Sequence, residues 1–150
     1  MKQKYIDLYM DWARRAAELS HARRLHVGAV IVKDDTVISY GYNGTPAGWD
    51  NNCEDEIYQQ DGSIGLKTKV EVLHAERNAL DKLTKRGGIG GDGAAMFTTH
   101  APCLECAKSI YGAGIKELFY SEEYRTQDGV YFLQKCGISV EKISNREELR

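Results

Sequence analysis

His74-Ala75-Glu76 and Pro102-Cys103-Leu104-Glu105-Cys106 are the stretches of this sequence whose residue types and spacing carry chemistry. Together they offer an imidazole, a pair of thiols and a carboxylate free for other work. Zinc takes tetrahedral nitrogen and sulfur ligands, and a site with three protein ligands keeps a fourth position for water. His74, Cys103 and Cys106 make such a set. At a helix start, residues two apart point in different directions, so His74 can face a metal while Glu76 lies over its water. A ligating acid would sit three or four residues from His74. Cys103 and Cys106, three apart, share a helix face, and a helix N-terminus favours their thiolate forms. The implied chemistry is hydrolysis, with Glu76 moving the protons. The competing reading is a structural zinc knot closed by a fourth ligand. Cys53, Cys136, His21, His26 and His100 are the spare candidates, and none has paired spacing with the motif. His100, two residues before Pro102, is better placed to line a pocket.

These residues must be positioned by elements that the hydrophobic pattern outlines. Ile6, Tyr9, Met10, Ala13, Ala16 and Ala17 recur at helical spacing, which predicts a helix over 5–20. A basic connector over 21–26 follows. It reads either as a solvated loop or, through the guanidinium groups of Arg23 and Arg24, as a phosphate contact. The apolar run 27–33 predicts a strand buried on both faces, with Asp34-Asp35 turning the chain into a second strand over 36–40. Residues 41–48 are dense in turn formers. In that loop Asn43 can present an amide to a ligand, and Gly44 and Gly48 can admit one close to the backbone; a plain loop is the alternative. Residues 49–70 show no period and read as a long connection with one helical turn, Cys53 being an ordinary thiol. Helices are expected over 71–85, 103–111 and 128–136, alternating with strands over 94–99, 115–120 and 138–143. The charged tail, 144–150, is expected to fray. This alternation predicts an α/β sheet covered on both faces.

The length, 150 residues, suits one domain spanning 1–150. A net charge of −2 gives no global attraction to nucleic acid, and none is expected as a partner. No apolar run approaches a membrane span, and the first residues have no signal-peptide core. Cys103 and Cys106 beside a His-x-Glu motif read as metal ligands rather than disulfide partners, so the expected compartment is the reducing cytoplasm.

The H-x-E…P-C-x-x-C arrangement is the signature of zinc-dependent nucleobase deaminases. Over nearly its whole length the chain resembles deoxycytidylate (dCMP) deaminases of the bacterial and phage type. The resemblance rests on Val27-Gly28-Ala29-Val30-Ile31-Val32, Gly41-Tyr42-Asn43-Gly44-Thr45-Pro46-Ala47-Gly48, His74-Ala75-Glu76-Arg77-Asn78-Ala79 and Pro102-Cys103-Leu104-Glu105-Cys106-Ala107-Lys108. Gly114-Ile115-Lys116 and Tyr120-Ser121-Glu122-Glu123-Tyr124 add to it. It implies a cytidine-deaminase-like three-layer α/β/α fold with a five-stranded mixed sheet. It also implies conversion of dCMP and water to dUMP and ammonia, feeding thymidylate synthesis. By the same resemblance His74, Cys103 and Cys106 hold zinc and Glu76 shuttles protons. Asn43 meets the deoxyribose, Ala75, Ala101 and Tyr124 contact the nucleotide, and Arg23 or Arg24 meets the 5′-phosphate. Members of the family are commonly homo-hexamers, activated by dCTP and inhibited by dTTP; the effector would lie against Tyr42, Asn43, Gly44 and Gly48. Some relatives carry a second, structural zinc in the insertion before the His-x-Glu motif. Here that insertion has Cys53 but no histidine, and the connector lacks cysteine, so only the catalytic ion is expected.

Rival readings are a deaminase of transfer RNA or of guanine, and a nucleotide-binding module with a vestigial metal site. A transfer-RNA enzyme should carry a basic face and tail, whereas this tail mixes signs. A vestigial site has no use for Glu76.

Overall fold

The computed structural model describes residues 1–144; residues 145–150, which hold most of the tail expected to fray, lie outside it. Helix α1 (Gln3–Ala17) buries Ile6, Tyr9, Met10, Ala13, Ala16 and Ala17, the apolar set of the sequence pattern. The chain then runs through β1 (Gly28–Lys33) and β2 (Thr36–Tyr42), joined by Asp34 and Asp35, both with positive φ. Short polar side chains tolerate that conformation, which matches the twist of a tight hairpin. Next come β3 (Glu54–Tyr58), β4 (Ile64–Thr68), α2 (Ala75–Arg86), β5 (Ala95–His100), α3 (Leu104–Gly112), β6 (Glu117–Glu122), α4 (Asp128–Lys135) and β7 (Ser139–Lys142).

The main sheet has five strands in the order β2-β1-β5-β6-β7. Its β2-β1-β5 side is antiparallel and its β5-β6-β7 side parallel, so the sheet is mixed as expected. Side chains alternate between two cores. On one face Tyr9, Met10 and Ala13 of α1 meet Val30, Val32, Phe97 and Phe119. There Phe97 and Phe119 stack at 4.6 Å between ring centroids. On the other face α2, α3 and α4 place Ala79, Leu83, Ile110 and Leu133 against Ala29, Ile31, Met96 and Leu118. Burying each large side chain contributes about 1.5–3 kcal/mol. Helix α2 presses onto β2 at Gly41, where an added Cβ would lie 2.4 Å from the Ala75 carbonyl oxygen. Only glycine admits that approach.

One expectation fails. Residues 49–70 hold no helical turn; they form the β3–β4 hairpin, a second, two-stranded sheet. Its strands pair antiparallel from Glu54↔Thr68 to Tyr58↔Ile64. Almost every side chain on it is exposed or half-buried, so no apolar alternation marks it in the sequence. The turn cue was Asp61-Gly62, closed by Gln59 N–H to the Ser63 carbonyl at 2.9 Å. The second helix also begins later than expected, because Leu73 is drawn into a two-way backbone bridge with Gly44 at 3.1 and 2.8 Å. Among the described residues no helix is long and apolar enough to cross a membrane.

Candidate active site

Because β1 runs antiparallel to β2 and β5, its N-terminus shares an edge of the sheet with the C-termini of β2, β5 and β6. The pairs Gly28↔Tyr42, Ala29↔Thr98 and His100↔Glu122 fix that edge. Open α/β sheets bind ligands beyond the carboxyl ends of their strands. Both motifs lie there. His74 is the residue at which α2 begins, and Cys103 the residue at which α3 begins, each with extended backbone. Cys106 follows in the first turn of α3, where its N–H donates to the Cys103 sulfur at 3.4 Å. Gly129 of α4 lets that helix rest on the backbone of the motif: an added Cβ would stand 2.2 Å from the Pro102 carbonyl oxygen.

His74 Nδ1 lies 3.5 Å from Cys103 Sγ and 3.3 Å from Cys106 Sγ. A tetrahedral zinc with Zn–N about 2.0–2.1 Å and Zn–S about 2.3 Å sets these separations near about 3.5 Å. The donor set and its spacing therefore fit zinc. All the ligand atoms fall within 4.8 Å of one another, and among the described residues no further His, Cys, Asp or Glu joins the group. That geometry does not favour the four-ligand knot. The Cys106 thiol and the His74 ring both hold the Cys103 thiolate, so the Cys103 pKa is pushed down to about 4. Cys106 is pushed the other way, by its bond to Cys103 and by burial. Partnership with Cys103 raises the His74 pKa, against the opposing effect of burial. A site poised in this way releases protons as it takes up metal.

Glu76 is 4% exposed, although it is a carboxyl group in the first turn of a helix. The Thr98 hydroxyl lies 3.3 Å from Glu76 Oε1 and 3.0 Å from the His100 carbonyl oxygen. Burial raises the Glu76 pKa, with smaller lowering effects from a backbone hydrogen bond and His74. A carboxyl group lifted in this way is a stronger base than an exposed carboxylate and can both accept and return a proton. Beside it, Gly28 N–H donates to the Thr99 hydroxyl at 3.1 Å, and that hydroxyl lies 2.8 Å from His100 Nδ1. That hydroxyl has one hydrogen and two lone pairs, so it donates to Nδ1 of one neutral tautomer or accepts from the other. Burial lowers the His100 pKa, favouring this neutral ring.

One pocket is lined by His74, Ala75, Glu76, His100, Ala101 and Cys103 together with Arg24, Asn43, Glu54, Thr68 and Tyr124. Of the two arginines, Arg24 lines it, whereas Arg23 turns away to Glu56 at 3.4 Å. Asn43 borders the pocket with its side chain already engaged: Oδ1 accepts from Val27 N–H at 2.9 Å, and Nδ2 donates to the Leu25 carbonyl at 2.8 Å. Tyr124 packs against the cluster of Ala101, Tyr120 and Val130, and burial raises its pKa. Tyr42, Gly44 and Gly48 lie apart, in a second groove with Trp49, Asn78 and Lys82 that Asn43 also borders. Sequence reasoning missed Glu54, Thr68 and Thr98. A second Thr in a buried strand was the only cue for Thr98, and nothing marked the hairpin residues.

The chain matches the family described as the cytidine and deoxycytidylate deaminase zinc-binding region over residues 3–122. It is 37% identical to ComE operon protein 2 of Bacillus subtilis, over 94% of this chain and 77% of that one. It is 35% identical to the deoxycytidylate deaminase of Saccharomyces cerevisiae, over 100% of this chain but 48% of the yeast enzyme. The crystal structure of dCMP deaminase from the cyanophage S-TIM5, in complex with dCMP and dUMP, superposes with a TM-score of 0.84 at 42% identity. That alignment covers 95% of this chain and 99% of the phage enzyme. Together with a zinc-fitting trio beside a buried glutamate, these matches show that the chain belongs to the cytidine and deoxycytidylate deaminase family.

Proposed function

We propose that this protein hydrolyses dCMP to dUMP and ammonia, supplying dUMP for thymidylate synthesis. The observation that carries the proposal is a single pocket lined by Glu76, by His74 and Cys103 of the zinc trio, and by Arg24. Zinc, when bound by His74, Cys103 and Cys106, supplies Lewis-acid activation of water at neutral pH. Everything else falls to the chain's own groups. Glu76 takes one proton from the attacking water at its carboxyl oxygen and delivers it to the pyrimidine ring nitrogen; it then takes the second from the new hydroxyl on the ring carbon and delivers it to the departing amine. The bond to the exocyclic nitrogen breaks as the new carbonyl forms, so one water is consumed for each ammonia released. Ala75 and Ala101 offer backbone groups and small side chains where the flat ring must slide in, and Tyr124 packs on it. Asn43, braced by the connector, meets the sugar. Arg24 pairs with the 5′-phosphate as a charge-assisted contact.

The relatives named deoxycytidylate deaminase support the substrate, as does the phage structure holding dCMP and dUMP. The resemblance further supports a homo-hexamer in which dCTP activates and dTTP inhibits, with the effector against Tyr42, Asn43, Gly44 and Gly48. The test is ammonia release from dCMP, dCTP, cytidine and a transfer RNA, with a parallel zinc measurement. Turnover of dCMP alone is expected, and equal turnover of cytidine overturns the phosphate assignment. Assays with added dCTP and dTTP read the regulatory part.

A further inference from the structure

We propose that Glu54 is the positioning residue for phosphate recognition: its buried carboxylate pins the connector backbone so that Arg24 faces the pocket. The inference deepens the deaminase reading above and rests on Arg24 meeting the phosphate there.

Glu54, the first residue of β3, is 2% exposed. Its Oε2 accepts from Arg23 N–H at 2.8 Å and from Arg24 N–H at 2.7 Å, and its Oε1 from Arg23 N–H at 3.1 Å. Successive backbone amides converging on an anion form a nest, a common site for phosphate itself. Here an internal carboxylate fills the nest. Those amides are then unavailable to a ligand, and the phosphate falls to the Arg24 side chain.

The neighbouring contacts lock the same register. Ala22 and Cys53, each one residue ahead of the polar contact, pack together with Val72 in a small buried cluster. From the partner strand β4, Thr68 Oγ1 accepts from an Arg24 guanidinium nitrogen at 3.4 Å. The hairpin therefore grips Arg24 twice, by backbone from β3 and by side chain from β4. A buried carboxylate at a pocket for an anion opposes binding, and the converging Arg23 and Arg24 amides offset that repulsion in part. The β3–β4 hairpin is thus the element that makes the pocket selective for a nucleotide over a nucleoside.

The experiment is a double-mutant cycle on the zinc-loaded chain with E54Q, R24A and the pair, using dCMP and deoxycytidine as substrates. Glu54→Gln is expected to raise KM for dCMP about tenfold, as removal of a single charge-assisted hydrogen bond would, with little change in kcat. The residual kcat/KM for deoxycytidine, far below that for dCMP and read at high enzyme concentration, should hold within about twofold, and adding E54Q to R24A should have no further effect on dCMP, because coupled residues are non-additive. Equal losses on both substrates, or additive effects, overturn the proposal. If E54Q does not fold, Thr68→Val carries the test through a smaller rise in KM confined to dCMP, and no such rise overturns the proposal. Calorimetric binding of dUMP against deoxyuridine separates the two readings. Wild-type protein that turns over no dCMP refutes the proposed reaction, whereas dUMP binding unaffected by E54Q refutes the role of Glu54 alone.

Discussion

The two walls of the pocket are built on opposite principles. The wall that carries the chemistry, with Glu76, His74, Cys103 and Cys106, grows from helix starts docked on a sheet whose central strands are buried on both faces. The wall that carries Arg24, the proposed phosphate contact, is braced by a two-stranded hairpin whose residues are mostly exposed, with Tyr58 77% accessible. Reacting atoms need fixed geometry, which a close-packed interior provides. A phosphate needs only a well-placed positive charge, and a hairpin held by a handful of hydrogen bonds suffices. Chemistry and selectivity should then be separable by mutation.

The largest expected effect lies on the chemical wall. Glu76→Gln should keep its zinc and lose about 10³-fold in kcat, the size of a general acid–base contribution. Elemental analysis beside the assay checks it; loss of zinc with activity would make Glu76 a ligand. On the opposite wall, Arg24→Ala should raise KM for dCMP about tenfold and lower kcat far less. A matching fall in kcat would merge the two walls into one device.

A smaller effect concerns stability without metal. The Glu76 carboxyl is raised above its ordinary 4.5 by burial, so its protonated form is the one that the fold favours. The stability it allows is fully present below pH 4.5 and is lost as pH rises through the folded-state value. Zinc-stripped E76Q should accordingly melt a few degrees above zinc-stripped wild type at pH 8 and level with it at pH 4, as read by thermal unfolding followed by circular dichroism. The smallest effect belongs to the hairpin surface: Tyr58→Ser should shift unfolding free energy by less than about 0.5 kcal/mol, measured by denaturant titration.

The same contrast explains what the sequence made legible. The zinc trio and Glu76 stood out because metal and proton chemistry admit few residue types, and those at few spacings. The main sheet and its helices were legible because one-sided or two-sided burial writes its period into the residues, as with Ile6, Tyr9, Met10 and Ala13 on α1. The hairpin buries almost nothing, so its strands left no period, and 49–70 read as a connection. Glu54 was illegible for a further reason: its partners are backbone amides 31 and 30 residues away, which no side-chain pattern records. Asn43 was singled out as a polar group offered to a ligand, and its amide also braces the connector through Leu25 and Val27, which keeps one N–H and one lone pair for a ligand. A sequence shows that a group is present but not what already occupies it.

His74 and Cys103 are each both a metal ligand and the residue from which a helix departs. An ion there would work as a shared hinge pin, tying the leading turns of α2 and α3 at one point while their trailing ends rest independently on the sheet. Chelation would then be felt as fraying from that end, with faster amide exchange at Asn78 and Ala107, whose N–H groups donate to the His74 and Cys103 carbonyls, and undisturbed exchange at Leu83 and Ile110.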